Sequence, residues 1–255
     1  MDVLRVVNLG IEVSGKKILQ NVNLYIQQGQ TFVLFGPNGS GKSSLLSAIV
    51  GHPSYRIYDG RIMFKGKDIT NLSTDERIRM GMGIAFQNPP RVSGVKLIDI
   101  LKHCARISGQ SEEKVYEYAE MLNMVDMLNR NINSGFSGGE IKRSELLQLL
   151  VLNPDFIMLD EPDSGVDLEN ISIVGDAMRE LLERDKPAEK RNKAGLIITH
   201  TGHILKYVDA DYGVVLYKGR IACIGNPYDI LEHVAKYGYE GCVKKCLRKL
   251  NSNRK

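Results

Sequence analysis

Thr31-Phe32-Val33-Leu34-Phe35-Gly36-Pro37-Asn38-Gly39-Ser40-Gly41-Lys42-Ser43 is the stretch on which the reading of this chain turns. Residues 31–35 form a continuous apolar strand that runs into a glycine-rich turn, and the helix that follows ends at Gly51-His52-Pro53. A glycine, four residues, Gly-Lys and a hydroxyl residue between a strand and a helix is the pattern of a phosphate-binding loop. The glycines let the backbone curl so that successive N–H groups face phosphate oxygens. Lys42 neutralises the outer phosphates, and the Ser43 hydroxyl suits a magnesium ion. Gly36, Pro37, Asn38, Gly39, Ser40, Gly41, Lys42, Ser43 and Ser44 are therefore the expected phosphate cradle.

Outward from this loop the chain alternates in a regular way. Residues 3–25 carry short β-rich runs with a turn signal at Ser14-Gly15-Lys16, which predicts an antiparallel sheet. Residues 84–86 read as a short strand. From 95 to about 152 the pattern turns helical, with Val95, Ile98, Leu101 and Ala105 on one face and Val115, Tyr118, Ala119 and Leu122 on another. This predicts a helical lobe (95–152) inserted into an α/β core (1–94 and 153–240). Residues 156–159 and 196–198 are short apolar strands separated by a helix over 171–183, the rhythm of a parallel sheet. The charged stretch 183–193 reads as a solvated loop, 212–224 as a hairpin turning at Lys218-Gly219, and the segment from 226 as helix ending in a basic tail (241–255).

Composition bounds the possibilities. The 255 residues, 43% apolar, suffice for one full core or two tightly joined lobes. A formal charge of +4, with much of the excess in 244–255, is too small to argue for a nucleic-acid partner. Cys104, Cys223, Cys242 and Cys246 show no zinc-type spacing, and Cys242 with Cys246 falls short of a cluster's four ligands, so free thiols in a reduced cytoplasmic setting are expected. No apolar run approaches the length of a membrane span; 146–152 is interrupted by Gln148. Direct membrane insertion is not expected.

Two further motifs carry chemistry. Residues 156–159 end in Asp160-Glu161, placing two carboxylates at the C-terminal tip of a buried strand, where α/β sheets bind ligands. One suits magnesium; the other suits a water attacking a phosphoryl group. Ser137-Gly138-Gly139-Glu140 opens a helix with a capping box. Two glycines in its first turn weaken that helix by roughly 1 kcal/mol each and make sense where bare N–H groups must approach an anion.

Phe136-Ser137-Gly138-Gly139-Glu140 resembles the signature of ABC-type ATPases, and the order of phosphate loop, Gln87, signature, Asp160-Glu161, Ser164 to Asp167 and His200 is similar to the full set of that family. The resemblance implies an ABC ATPase nucleotide-binding domain, a P-loop core with an antiparallel β subdomain and a helical lobe, working on Mg-ATP. It implies that Ser137, Gly138 and Gly139 of one copy close over ATP held by another. Ser43, Gln87 and Asp160 would hold Mg2+, and Lys42, Gln87, Glu161 and His200 would carry hydrolysis. Asp167 would communicate across the dimer. Many members stack adenine on an aromatic residue where this chain offers Val13.

The wider match resembles the SufC-type ATPase of the SUF iron–sulfur cluster assembly system. It rests on His52-Pro53-Ser54-Tyr55, Asp59-Gly60-Arg61-Ile62, Ala85-Phe86-Gln87-Asn88-Pro89-Pro90, Phe136 to Arg143, Leu159 to Asp167 (above all Asp163-Ser164-Gly165), Asp211-Tyr212 and Gly219-Arg220-Ile221. That resemblance implies SufB- and SufD-like scaffold partners, docked around residues 87–96 and the helical lobe. A membrane-transporter ATPase shares every catalytic motif and stays open as an alternative. A nucleotide-gated nucleic-acid factor predicts tandem cassettes, a long coiled coil or a strongly basic face, none of which the chain carries.

Overall fold

In the computed structural model, which describes residues 1–167, 170–199 and 202–252, the elements run β1 (Asp2–Val13), β2 (Lys16–Gln27), β3 (Thr31–Phe35), α1 (Lys42–Val50), β4 (Arg56–Phe64), β5 (Lys67–Asp68), α2 (Thr74–Arg79) and β6 (Met82–Ala85). They continue with α3 (Leu97–Ser108), α4 (Glu112–Met121), α5 (Gly138–Leu152), β7 (Phe156–Asp160), α6 (Ile171–Leu181), β8 (Ala194–Ile198), β9 (Tyr212–Tyr217), β10 (Arg220–Gly225) and α7 (Pro227–Ser252).

β3, β7 and β8 are apolar except at Thr31 and Asp160 and buried at every position, as strands covered on both faces must be. They form the middle of a six-stranded sheet, ordered β10-β9-β3-β8-β7-β6, in which every pairing except the β9–β10 hairpin is parallel. The loops after β3 and β7 therefore open at the same edge of the sheet. Asp211 secures the other end of β3: its carboxylate accepts from the Thr31 N–H at 2.7 Å and from Arg184 at 2.8 Å. The charged stretch 183–193 is thus not simply a solvated loop, because the Arg184 side chain is 5% exposed and paired with Asp211.

A second sheet, ordered β2-β1-β4-β5, is antiparallel and lies over α1. The sequence reading finds β1 and β2 but not β4 and β5. Asp59-Gly60 in the middle of β4 looks like a turn, yet β4 pairs with β1 through a register shift on either side of Gly10↔Asp59. The short helix α2 also escapes the pattern; Ser73 and Glu76 cap it reciprocally, and Arg77 is its one buried residue.

The helical lobe packs α3 and α4 against α5 through Leu97, Leu101, Ala105, Val115, Ala119 and Leu122. Ten residues of α5 are buried, because its other sides face α6 and β6. α7 is bent at Gly238, whose backbone leaves helical geometry. The bend brings Cys246 beside β10, where it forms a disulfide with Cys223, Cα to Cα 6.0 Å. This corrects the expectation of free thiols at Cys223 and Cys246: a separation of 23 residues gives no signal until the bend is known. Cys104 and Cys242 are free thiols. Among the described residues, no helix is long and apolar enough to cross a membrane.

Arg77 joins the layers. The residue is 2% exposed, and its guanidinium donates to the carbonyls of Ala48 and Ile49 (both 2.8 Å), Leu72 (2.9 Å) and Thr70 (3.0 Å), closing the C-terminal end of α1. Arg77→Ala leaves these buried acceptors without donors, and we expect a loss of about 3 kcal/mol or more in denaturant-unfolding free energy. A change within about 0.5 kcal/mol would mean that water replaces the guanidinium.

Candidate functional site

The phosphate loop curls between β3 and α1 with Gly39 and Gly41 in left-handed conformation. A Cβ on Gly41 would lie 2.5 Å from the Leu19 side chain, so β2 forces glycine there from below. Lys42 folds back over the loop, its Nζ donating to the carbonyls of Gly36 (2.8 Å) and Pro37 (3.3 Å). Burial pushes its ammonium down from the usual lysine range, opposed by the nearby carboxylates of Glu161 and Asp160. Asn38, Gly39, Gly41, Lys42, Ser43, Ser44, Gln87 and Glu161 line one open pocket of about 410 Å³. No aromatic side chain is among them. Ser40 is buried with its hydroxyl oxygen unpartnered.

β7 delivers the two carboxylates with different surroundings. Burial raises the Asp160 carboxyl above the ordinary range, against a lowering hydrogen bond from Ser43. Its Oδ1 has no partner. Hydroxyl, carboxylate and amide oxygens from Ser43, Asp160 and Gln87 form a hard donor set of the kind Mg2+ prefers. Glu161 has left the strand with φ 52°, its N–H donating to the Ile198 carbonyl (3.0 Å), and the Gln87 amide donates to its Oε2 at 2.8 Å. Gln87 thus touches Glu161 directly. His200 lies outside the described residues; its neighbour Thr199 donates to Asp163 at 3.2 Å.

The signature segment lies elsewhere. Ser137, Gly138 and Gly139 do not line the phosphate pocket of their own chain. Ser137 and Glu140 form the expected capping box: the Ser137 N–H donates to Glu140 (2.6 Å), and the Glu140 N–H to the Ser137 hydroxyl (3.3 Å). This lowers the Glu140 carboxyl below the usual range. The two glycines then separate in role. A Cβ on Gly138 would meet the Gly165 carbonyl at 3.2 Å, a packing constraint inside the chain. One on Gly139 would meet nothing within 4 Å, so its lack of a side chain answers no need of this chain alone.

The sequence reading passes over the next turn of α5. Lys142, Arg143, Ser144 and Glu145 are four consecutive polar residues, all buried. Lys142 donates to the carbonyls of Phe86 (3.1 Å) and Gln87 (2.9 Å), and Glu145 Oε1 accepts from the Phe86 N–H (2.9 Å). Arg143 reaches the carbonyls of Leu122 and Asn123 at 3.0 and 3.3 Å. Their i, i+3 spacing and charge read as an exposed helix face, and only the packing of α5 on both sides shows otherwise. The signature helix therefore holds the backbone on which Gln87 reaches Glu161.

Comparison with known proteins gives one consistent result. Residues 19–164 match the family model described as ABC transporter. The chain is 39% identical over 251 residues to "Probable ATP-dependent transporter ycf16" of Cyanophora paradoxa, covering 93% of each chain. It is 36% identical over 254 residues to a "Probable ABC transporter ATP-binding protein" of Streptococcus pyogenes, covering 96% of each. Among solved structures, a nucleotide-free ATP-binding cassette from an ABC transporter superposes with a TM-score of 0.74 at 26% identity, over 92% of this chain and 96% of that one. The ADP conformation of an ATP-binding cassette gives 0.71 at 28%, over 93% and 96%. The α/β cassette fold expected from the motifs is the fold of these proteins.

Glu145 makes the second-turn cluster of α5 measurable. Burial raises its carboxyl from 4.5 to about 7, with the Phe86 N–H and Lys142 opposing. Between those values the folded chain holds a proton that the unfolded chain has released, so this group lowers stability as pH rises and levels off above about 7. Glu145→Gln removes that dependence. We expect the wild type to lose up to about 3 kcal/mol relative to this variant between about pH 5 and about pH 8 in denaturant titrations. A difference that does not vary with pH would mean that Glu145 is solvated.

Proposed function

The chain belongs to the ABC transporter family of ATP-binding proteins, and from that premise we propose that it hydrolyses ATP in two composite sites formed by head-to-tail pairing of two copies. The observation that carries this reading is the separation of the halves: an open phosphate pocket with Gln87 and Glu161, and a capped signature turn outside it where a Cβ on Gly139 would meet nothing within 4 Å. A second copy turned by a two-fold axis supplies each half with its complement.

In this reading Gly36 to Ser44 wrap the phosphates with backbone N–H groups, and Lys42 exchanges its bonds to Gly36 and Pro37 for phosphate oxygens. Ser43, Asp160 and Gln87 would hold Mg2+, which when bound would offset the negative charge of the transferring phosphoryl group. The unpartnered Asp160 Oδ1 supports this assignment. Glu161 orients the attacking water and takes its proton, with His200 assigned to assist it by its place in the order of motifs. In the structure the Gln87 amide donates to the Glu161 carboxylate; release of that hydrogen bond would free the carboxylate for water. Ser137, Gly138 and Gly139 of the second copy close over the outer phosphates, with Asp167 at the same boundary.

The task we propose for this motor is iron–sulfur cluster assembly, with ATP-driven pairing rearranging SufB/SufD-like scaffold proteins in the cytoplasm. The residue-level resemblance in 85–90, 136–143 and 159–167 supports it. The second reading, the ATPase of a membrane transporter, is favoured by the names of the relatives, which are transporter and transporter ATP-binding proteins. In both, the partner docks on the groove between residues 86–92 and the helical lobe.

Two measurements test this. Purification of tagged protein from native extract with and without ATP, followed by mass spectrometry, should yield soluble cysteine- and histidine-rich scaffold proteins; a polytopic membrane protein would instead establish the transporter. For the site, Glu161→Gln should retain ATP and run as a dimer with turnover reduced by about 10²-fold or more, while Lys42→Ala should lose nucleotide binding. Wild-type turnover in the glutamine variant would remove Glu161 from its assigned role.

A further inference from the structure

Helix α7 reaches back to the phosphate loop. Beyond the bend at Gly238, Tyr239, Cys242, Val243 and Cys246 recur at i, i+3, i+4 and i+7, so they form one stripe of the helix. This stripe faces the body of the chain. Cys242 and Val243 are buried, Tyr239 packs half-buried against the core, and Cys246 is bonded to Cys223 of β10. At the near end of the stripe, burial pushes the Tyr239 phenol up from the usual tyrosine range, opposed by a hydrogen bond from the backbone N–H of Gly36. Gly36 opens the phosphate loop, and its carbonyl accepts from Lys42 Nζ at 2.8 Å.

The far end of the stripe is tied to a hairpin that also touches the loop. The turn leading into β10 donates from the Gly219 N–H to the Ser40 carbonyl at 3.2 Å. Gly36 packs so closely on β9 that a Cβ there would lie 2.3 Å from the Leu216 carbonyl. β9, β10 and α7 therefore hold the phosphate loop at Gly36 and Ser40, and the Cys223–Cys246 bond joins β10 to α7 across 6.0 Å between Cα atoms. Both cysteines are half-buried on the lining of a cavity of about 180 Å³. Cys242 shares that lining, but burial pushes its thiol up against the opposing charge of Lys245, which makes it a poor nucleophile toward the bond. We propose that Cys223 and Cys246 form a reversible thiol–disulfide site that sets the affinity of the phosphate loop for nucleotide, with Tyr239 as the positioning residue that passes the state of the bond to Gly36.

Opening the bond takes two electrons and two protons, which a dithiol reductant supplies. One of its thiolates attacks one sulfur of the pair and releases the other as thiolate. The second then resolves the mixed disulfide, leaving two cysteine thiols in this chain and a disulfide in the reductant. Disulfides that form in a reducing cytoplasm are usually transient or redox-sensing rather than structural, which fits a bond placed beside a nucleotide site. With the bond closed, the stripe is pinned at both ends and Tyr239 holds Gly36 before nucleotide arrives, so less of the loop remains to be ordered on binding. With it open, α7 loses its covalent tie to β10 and the ligand must order the loop. The assignment rests on the proposed function only for nucleotide binding at this loop.

The test is the dissociation constant of Mg-ADP, measured by calorimetry on the full-length chain in oxidised form and after reduction with dithiothreitol. Alkylation and mass spectrometry read the state of each cysteine; in the oxidised form only Cys104 and Cys242 should be alkylated. Reduction should weaken ADP binding by about threefold or more, and Cys246→Ser should bind as weakly as the reduced wild type in either buffer. Tyr239→Phe loses only the hydroxyl. It should keep the disulfide, bind ADP weakly and respond to reduction by less than about 1.5-fold, the coupling expected if the bond acts through that hydroxyl. A bond that serves stability alone would shift the unfolding midpoint and leave the affinity unchanged. Equal affinity in the two states of the wild type, a full redox response in Tyr239→Phe, or alkylation of all four cysteines in the oxidised form would each overturn the assignment. Absence of ADP binding in every form would overturn the phosphate-loop reading itself, and this assignment with it.

Discussion

The buried polar turn of α5 is the constraint around which the rest of the site is arranged. Lys142, Arg143 and Glu145 sit where a bundle helix would carry leucines, and each is tolerated because it binds backbone N–H or carbonyl groups. Arg143 fixes the end of α4 to the helix that begins with the signature. Lys142 and Glu145 together bind the N–H and carbonyl of Phe86 and the carbonyl of Gln87, so the loop after β6 cannot shift without opening a charged, desolvated pocket. Such networks are costly when half satisfied, which makes them suitable for passing a change of position from one lobe to the other.

The parallel sheet supplies the other fixed frame. β3 and β7 flank β8, so their C-terminal ends place the phosphate loop and the Asp160-Glu161 pair at one edge, and β6 brings Gln87 alongside. Burial then differentiates the charges. It raises Asp160 and lowers Lys42 and Lys142, leaving a cluster whose charges are under-neutralised by the protein and better matched to a phosphate and a divalent cation. The glycines of the signature follow the same logic: Gly138 is needed by the backbone of Gly165, whereas Gly139 has no steric reason inside the chain.

How much of this was legible in the sequence depended on whether the determining interaction was local. The phosphate loop, β3, β7, β8 and the capping box of α5 were legible, because continuous apolar runs, glycines and a Ser-x-x-Glu spacing state their own geometry. β4 was not, since Asp59-Gly60 breaks its alternation and its pairing with β1 is a long-range fact. The burial of Lys142 and Glu145 was hidden for the same reason: charged residues on a helix look solvated until both faces of the helix are seen to be covered. Arg77 and the Cys223–Cys246 bridge depend on the bends at Gly51 and Gly238, which bring distant segments together. The direct contact of Gln87 with Glu161 joins motifs 74 residues apart, which their order along the chain could suggest but not reveal.

The central claim is that each catalytic site draws its phosphate loop from one copy and its signature from another. Mixing two inactive variants, Lys42→Ala and Ser137→Arg, tests it most directly. In a head-to-tail pair of the two, both defects fall in one site and the other site is intact. The account therefore predicts that equimolar mixing restores ATPase activity, to about one quarter of the wild-type rate if subunits exchange freely and sites act independently. Activity that stays at the level of the separate variants under exchange conditions would contradict the composite site and place hydrolysis within a single chain.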